Sequence, residues 1–204
     1  MGRAHILGMD ESHWVLVMAW ILFGLVHSLT AAEPVKRFFF ARMGRWALYY
    51  RLSYSVLALL SLVAVLAWQL SFPSPVIASF PVLQYVVGLL AGLPGILLMF
   101  VSIRKYFFNL SGVGVFWGKE DTTGLELDGL HRYTRHPLYL GTLLFIWSLF
   151  FFFPLLSNLL SCLIITLYTL LGARLEERKL LIEFGPAYAA YQKRVPMLIP
   201  GLRF

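Results

Sequence analysis

Charged residues are scarce in this chain of 204 residues: they make up 13% of the sequence, whereas 59% is hydrophobic. Ordinary soluble domains carry about 25% charged residues, so the composition excludes that class of protein. The rest of the sequence contains five apolar runs, which are 14–32, 52–70, 82–102, 138–153 and 159–173. A helix needs roughly 20 residues to cross the hydrocarbon core. The first three runs meet that length, and the last two are slightly short.

The runs therefore predict an all-α integral membrane protein with five transmembrane helices. The short pair is expected to form a helical hairpin with Pro154 and Asn158 in its turn, followed by a helical tail. No repeat or long linker divides the chain, which predicts a single domain over 1–204. Its expected parts are three spans in 1–102, a loop over 103–137, and the hairpin with its tail over 138–204.

Cysteine is almost absent, since Cys162 is the only one. A single cysteine in the middle of an apolar run excludes an internal disulfide and a cysteine metal cluster, and no metal site is predicted. The first run also lacks the basic flank of a signal peptide, because Asp10 and Glu11 precede it, and it is longer than a typical signal-peptide core. It is interpreted as a true span.

Anionic side chains are also outnumbered, and the net charge is +7. The cations border the apolar runs instead of clustering on a soluble face, which favours contact with anionic lipid headgroups over nucleic-acid binding. They lie after the first run, after the third run and in the tail, whereas 71–79 and 154–158 carry no charge. Because cations collect in cytoplasmic loops, the N-terminus is expected outside and the C-terminus in the cytoplasm, across the inner membrane if the source is bacterial.

Two connecting segments have distinct compositions. Residues 33–51 are basic and aromatic, which predicts a position in the membrane interface. Residues 103–130 are rich in glycine, which predicts a loop, and a long loop beside a polar rim is often a lid. Its glycine pattern lacks the preceding strand of a dinucleotide-binding fingerprint.

The segment HRYTRHPLY, from His131 to Tyr139, places polar residues at the start of the fourth apolar run. Pro137 is expected at the first helical position, so the N–H groups of the next three residues, 138–140, should lack intrahelical partners. Together with the helix dipole they form an anion site. Arg132 and Arg135 add positive charge there, and this rim is predicted to face the cytoplasm.

A second polar rim ends the fifth apolar run at Arg174, Glu176 and Glu177. Beyond it, an apolar stripe of Leu180, Phe184, Tyr188 and Tyr191 predicts a helix interrupted at Gly185 and Pro186. This stripe is expected to fold the tail back over the first rim.

The two rims together predict one small-molecule site, although each alone is also typical of a topology anchor or a surface salt bridge. Paired carboxylates suit an ammonium group or ribose hydroxyls, and the helix start suits a carboxylate. Rings of Tyr133, Tyr139 and Tyr191 would stabilise a positive centre by cation–π contact. S-adenosylmethionine carries all of these groups.

The motifs HRYTRHPLYLG, Arg174/Glu176/Glu177 and FGPAYAAYQKRVP resemble the isoprenylcysteine carboxyl methyltransferase superfamily over about residues 130–200. The segment HSLTAAEPVK, from His27 to Lys36, is also similar to bacterial methanethiol S-methylating or NnrU-like members. The superfamily resemblance implies that S-adenosylmethionine is held by His136, Pro137, Tyr139, Glu176 and Glu177, with Tyr188 and Tyr191 supporting.

The combined prediction is an S-adenosylmethionine-dependent methyltransferase for a lipophilic or small membrane-permeant thiol or carboxylate. Its expected cofactor-binding residues are Arg132, Tyr133, His136, Pro137, Leu138, Tyr139, Glu176, Glu177, Tyr188 and Tyr191. Arg135 and Arg174 are the expected catalytic residues, because either would hold the acceptor anion near the sulfonium.

Two alternatives stay open at this stage. A lipid amine methyltransferase would need a base such as Glu177 or His131 to remove a proton from the acceptor nitrogen. A non-enzymatic membrane protein would include a haem carrier using His13 and His27. Those two residues are about 21 Å apart along a helix that rises about 1.5 Å per residue, which is too far for one iron.

Overall fold

The computed structural model describes residues 9–79, 81–111 and 124–201, and within these ranges the chain is helical. The only strand-like pairing among them is an isolated bridge between Val76 and Leu155. The helices are α1 (Glu11–Ala31), α2 (Glu33–Met43), α3 (Tyr50–Ser71), α4 (Leu83–Ser111), α5 (Pro137–Phe152) and α6 (Leu156–Arg194). The predicted all-α class is confirmed for this part of the chain.

Four of the described helices, α1, α3, α4 and α6, are long and apolar enough to cross a membrane. α5 has 16 residues, so it is about 24 Å long at a rise of 1.5 Å per residue, which is short of a hydrocarbon core of about 30 Å. Each predicted apolar run lies, to within one residue, in one of these five helices. The protein is therefore a helical membrane protein, with four helices of full spanning length and one shorter apolar helix.

Helix boundaries differ from the prediction at two places. α4 continues to Ser111, so the predicted loop begins later than residue 103, and its glycines at 112, 114 and 118 lie outside the described residues. Asn158 lies inside the first turn of α6 and not in the turn before it, where Pro154 does lie. The reason is tertiary: Asn158 Oδ1 accepts a hydrogen bond of 2.7 Å from Gln69 Nε2, so its amide needs no turn.

The basic and aromatic segment 33–51 forms short helices. α2 is followed by a 3₁₀ turn from Gly44 to Tyr49. The rings of Phe38 and Phe40 are about half exposed, and the Arg42 guanidinium lies 3.8 Å from the centre of the Phe38 ring. Exposed rings beside cations fit the predicted interfacial position, which stays a prediction.

The chain divides into two compact units. The first contains α1, α2, α3 and residues 155–164 at the beginning of α6. Side-chain hydrogen bonds connect its helices: Trp20 Nε1 donates to Ser161 Oγ at 2.8 Å, and Ser161 Oγ donates to Gln69 Oε1 at 2.8 Å. With the bond from Gln69 to Asn158, these four residues form what is called here the uncharged network.

His13 connects the start of α1 to the segment that follows α3. Its Nδ1 lies 2.7 Å from Asp10 Oδ1 in a capping box at the start of α1. Its Nε2 lies 2.9 Å from Ser74 Oγ, which also accepts the N–H of Ser157. Both ring nitrogens are thus engaged, which argues against the haem-ligand role considered above.

The second unit contains most of α4, all of α5 and the rest of α6 from residue 165. α4 and α5 approach closely at Gly95 and Gly141, since a Cβ built on Gly95 would lie 2.8 Å from the backbone nitrogen of Phe145. Trp147 Nε1 donates to Thr166 Oγ1 at 3.0 Å and joins α5 to α6. The start of α5 therefore lies beside the polar part of α6, within one unit.

Candidate active site

A cluster of polar side chains centres on the carboxylate of Glu177. Glu177 Oε1 accepts hydrogen bonds from Arg135 Nε at 2.9 Å and Tyr188 OH at 2.6 Å, and His136 Nε2 lies 2.8 Å away. Glu177 Oε2 accepts from Gln192 Nε2 at 2.5 Å and lies 2.8 Å from Arg135 Nη2. An ionised carboxylate only accepts, so Nε2 of His136 carries a proton. These five residues are called the Glu177 cluster below.

The cluster keeps Glu177 ionised. Burial alone would raise the pKa of the Glu177 carboxyl, but hydrogen bonds from His136, Arg135, Tyr188 and Gln192 outweigh burial and lower it to about 2. Burial, followed by the hydrogen bond to Glu177, raises the pKa of Tyr188, so its hydroxyl stays a donor. The apolar part of α6 ends at Ala173, and Glu177 lies beyond it. A charge at that position costs less free energy than one at mid-membrane depth.

Arg135 connects the cluster to the backbone of the tail. Its side-chain Nη1 donates to the carbonyl oxygens of Gln192 at 3.0 Å and Val195 at 2.6 Å. Its backbone N–H donates to the carbonyl of Pro196 at 3.0 Å. Every nitrogen of this guanidinium is engaged. These contacts use four of the five N–H groups of the guanidinium. The geometry makes Arg135 a residue that positions Glu177 and the tail, and the acceptor-holding role expected for it stays a prediction.

The tail packs as its sequence predicts. Tyr188, Tyr191 and Val195 form a buried apolar cluster, with Leu180 and Phe184 packed against it. Tyr191 OH donates to the carbonyl of His131 at 2.6 Å, so the tail does fold back over the HRYTRHPLY segment.

A break in α6 precedes this packing at the predicted place. Gly185 has φ of 52° and ψ of −127°, which is a conformation that residues with a Cβ rarely adopt. Pro186 follows it and restarts the helix. Because of this break, the apolar stripe of α6 packs back against the first rim.

Glu176 and Tyr139 form the more open side of the site. Tyr139 OH donates to Glu176 Oε2 at 2.9 Å, and the rings of His136 and Tyr139 are parallel with centroids 5.2 Å apart. The side chain of Glu176 is 44% exposed, compared with 9% for Glu177. Glu176 is therefore the carboxylate of the pair that a ligand can reach.

The start of α5 resembles the predicted anion site with one correction. No side chain caps this helix, and Pro137 occupies its first position. The N–H of Leu140 donates to the carbonyl of His136 at 3.0 Å, so it is not one of the unpaired groups. The N–H groups of Leu138 and Tyr139 remain, because the intrahelical ladder begins only at the fourth residue.

Of the predicted site residues, three make none of these contacts, and a fourth, Tyr191, is buried by the packing of the tail. Arg132 is exposed and its Nη2 is 2.6 Å from Asp128 Oδ1, and Tyr133 is 66% exposed. Arg174 is exposed and makes no ion pair with the described residues. Tyr191 is 4% exposed in the apolar cluster, so it supports the tail and does not offer a face for the predicted aromatic cage.

Gln192 is a site residue that sequence reasoning missed. It lies one turn after Tyr188 on the same side of the tail helix, and its amide donates to Glu177 Oε2. Spacing was a usable signal, since residues four apart share a helix face. The residue type gave no such signal, because glutamine is common on solvated surfaces.

His131, the base considered in the amine alternative, is partly buried. Burial lowers the pKa of His131 below its ordinary value, although a hydrogen bond to the carbonyl of Arg135 opposes the shift. His131 Nδ1 lies 3.1 Å from that carbonyl oxygen and donates to it. The ring is therefore neutral at neutral pH and fixed beside the tail.

These features define a helical membrane protein whose polar site is built by α5, α6 and the tail. A family described as "Protein of unknown function (DUF1295)" matches residues 36–195, which include the whole site. The methanethiol S-methyltransferase 2 of Bradyrhizobium diazoefficiens is 32% identical over 212 residues, covering 95% of this chain and 75% of that relative. No solved structure matches this chain.

Two further relatives match over shorter stretches. The methanethiol S-methyltransferase of Pseudomonas deceptionensis is 41% identical over 76 residues, which is 36% of this chain and 28% of that protein. The protein-S-isoprenylcysteine O-methyltransferase of Schizosaccharomyces pombe is 40% identical over 80 residues, which is 37% of this chain and 33% of that protein. The chain belongs to the DUF1295 family, within the superfamily of isoprenylcysteine carboxyl methyltransferase-like membrane proteins.

Proposed function

We propose that this protein is an S-adenosylmethionine-dependent methyltransferase whose acceptor is a small or lipophilic thiol. The observation that carries the proposal is the hydrogen bond of 2.9 Å from Tyr139 to Glu176, which joins the uncapped start of α5 to an accessible carboxylate. A ligand that carries a carboxylate, an ammonium group and a ribose needs such a pair of sites close together. The methyltransferase names of the relatives support the same class of reaction.

The residues present fit the cofactor. The N–H groups of Leu138 and Tyr139, at the positive end of the α5 dipole, suit the carboxylate of the methionine part. Glu176 suits its ammonium group or the ribose hydroxyls, because half of this carboxylate is exposed. The stacked rings of His136 and Tyr139 present an aromatic surface beside the same point. When bound, S-adenosylmethionine supplies a methyl group activated by a sulfonium.

The two glutamates then have different roles. Glu177 is fully hydrogen-bonded within its cluster and holds Arg135, His136 and the tail in position. Glu176 contacts the cofactor. In the transfer the acceptor thiol would lose its proton to water, its sulfur would form a bond to the methyl carbon, and the bond from that carbon to the sulfonium sulfur would break, which leaves a thioether on each side.

The acceptor needs mainly alignment and exclusion of water, because a thiolate is already a good nucleophile. Arg174, an exposed residue one turn before Glu177 on α6, remains the candidate for holding an acceptor anion. A thiol acceptor is favoured over an amine because an amine requires a base. Glu177 is a weak base, because its pKa is about 2 and four donor residues occupy its oxygens. Burial also lowers the pKa of His131, which makes its ring a weaker base than an ordinary histidine.

Calorimetric titration with S-adenosylhomocysteine tests the cofactor assignment. Wild type should bind, and Glu176→Ala should bind about tenfold or more weakly, since a hydrogen bond to a charged group contributes about 1.5–3 kcal/mol. Glu183→Ala is the matched control, because Glu183 is an exposed glutamate on the same helix outside the site. Absence of binding by wild type would remove the proposal.

Labelled cofactor offered with different acceptors tests the substrate class. We expect methyl transfer to methanethiol or to a prenylated cysteine, and none to a phosphatidylethanolamine. Arg174→Gln should raise KM for the thiol and leave the affinity for S-adenosylhomocysteine unchanged. Transfer to the lipid amine alone would replace the thiol assignment with the amine alternative.

A further inference from the structure

Ser102 on α4 has a buried hydroxyl without a partner in the described part of the chain. The residue is 2% exposed, and its Oγ makes no hydrogen bond with any described residue. Leaving a buried hydroxyl unpaired costs about 1–3 kcal/mol. Native structures keep few such groups, and each calls for an explanation.

Other helical serines and threonines of this protein avoid that cost. Thr30, Ser53, Ser61 and Thr142 each donate their hydroxyl to the carbonyl four residues earlier. Ser102 has the same option within α4 and does not use it. Its hydroxyl therefore stays available to a partner other than the α4 backbone.

The packing of α4 against α5 shows where Ser102 lies. The two helices run antiparallel, and the successive close pairs are Gly88 with Phe152, Gly92 with Ser148, Gly95 with Phe145, and Met99 with Gly141. Ser102 is one turn beyond Met99, and Leu138 is one turn before Gly141. The next pair in this register is Ser102 with Leu138. The unpaired hydroxyl therefore lies at the uncapped N-terminus of α5.

We propose that Ser102 is a ligand-binding residue whose hydroxyl donates to the anionic group held at the start of α5. This inference rests on the proposed function and extends it to a residue outside the HRYTRHPLY segment and the acidic rim. The anion is either the carboxylate of the methyl donor or the thiolate of the acceptor. Both are acceptors for a hydroxyl proton, and both are favoured at a helix N-terminus.

Ser102→Ala is the test, and Ser148→Ala is its matched control. Both serines are 2% exposed and both lie in the packing between α4 and α5, but Ser148 Oγ donates to the carbonyl of Phe145 at 2.6 Å. Without ligand, Ser102→Ala should unfold at the same temperature as wild type or higher, because it removes an unpaired group. Ser148→Ala should unfold at a lower temperature.

Two ligands identify the anion. If Ser102 binds the methionine carboxylate, Ser102→Ala should bind S-adenosylhomocysteine about tenfold more weakly. It should bind 5′-methylthioadenosine, which lacks the amino-acid part, as wild type does. If Ser102 binds the acceptor, the affinity for S-adenosylhomocysteine stays the same and KM for the thiol rises about tenfold. Ser148→Ala should leave all three values unchanged.

Wild-type binding of S-adenosylhomocysteine separates the two possible failures. If wild type binds and Ser102→Ala changes neither affinity nor KM, the inference about Ser102 is overturned and the proposed function stands. If wild type does not bind, the proposed function fails and the inference fails with it.

Discussion

The Glu177 cluster and the uncharged network both join separate parts of the chain by side-chain hydrogen bonds, yet their chemistry differs. The network of Trp20, Gln69, Asn158 and Ser161 contains no charge and lies within helices that can span a membrane. The cluster is centred on an ion pair and lies where the apolar part of α6 has ended. The difference follows from the cost of a buried charge.

A charged side chain at the centre of a membrane helix costs about 2.5–3.5 kcal/mol on insertion scales. A neutral interhelical hydrogen bond contributes about 0.6 kcal/mol on average and up to about 1.7 kcal/mol. Neutral groups therefore connect the spanning helices at a low cost in free energy. An ion pair contributes more where water and backbone carbonyls can satisfy its remaining atoms, as the tail does for Arg135.

The largest effect is expected from Glu177→Ala. Removing the carboxylate leaves Arg135 and His136 buried without their partner, and breaking one side of a buried ion pair costs about 3–5 kcal/mol. Thermal unfolding in detergent should show this loss, with Glu176→Ala as the control because that carboxylate is half exposed. Equal losses in the two variants would remove the distinction between the two glutamates.

Acid pH should break the same cluster without mutation. The pKa of Glu177 is about 2 in the folded protein and lower than its ordinary value of 4.5, so its contribution to stability is complete above pH 4.5 and is lost as the pH falls toward 2. Glu177→Gln lacks this proton uptake. The free energy of unfolding should fall more steeply for wild type than for Glu177→Gln in this window, and parallel curves would contradict the assignment.

Gly185→Ala tests how the tail reaches the cluster. A residue with a Cβ at φ of 52° and ψ of −127° is strained, and such conformations cost about 1–3 kcal/mol. Gly172→Ala is a matched control on the same helix: a Cβ would meet open space at both positions, but Gly172 is not at positive φ. Urea unfolding should show a loss for Gly185→Ala and no loss for Gly172→Ala. Similar results for the two would mean that the break at Gly185 is not required.

The smallest effect is expected in the uncharged network. Gln69→Ala removes one acceptor and one donor, which should cost about 1 kcal/mol. A double-mutant cycle with Asn158→Ala isolates the bond of 2.7 Å between these two side chains. The affinity for S-adenosylhomocysteine should stay as in wild type, and a loss of affinity would show that the network also supports the site.

Much of the fold followed from local patterns in the sequence. The apolar runs identified the helices, Pro137 identified the start of α5, and the stripe from Leu180 to Tyr191 identified the break and the packing of the tail. These features depend on the period of the helix and on the backbone limits of proline and glycine. Both are properties of neighbouring residues.

The different positions and contacts of the individual site residues did not follow from the sequence. Glu176 and Glu177 are adjacent and chemically alike, and only the helix phase makes one accessible and the other buried. Arg135 was expected to hold an acceptor, and its contacts to backbone carbonyls some sixty residues later in the chain were not expected. Carbonyl groups have no sequence signature, so a contact to them cannot be predicted from residue types.

The unpaired hydroxyl of Ser102 likewise could not be predicted from residue types. A serine at the end of an apolar run is typical of many membrane proteins, and nothing in its neighbours sets it apart. The sequence by itself determined the helices, their apolar faces and the position of both polar rims, because these depend on spacing along one chain. Only the tertiary structure decided which donors saturate Glu177 and which hydroxyl stays unpaired, because hydrogen bonds act over about 3 Å in space between residues that are far apart in sequence.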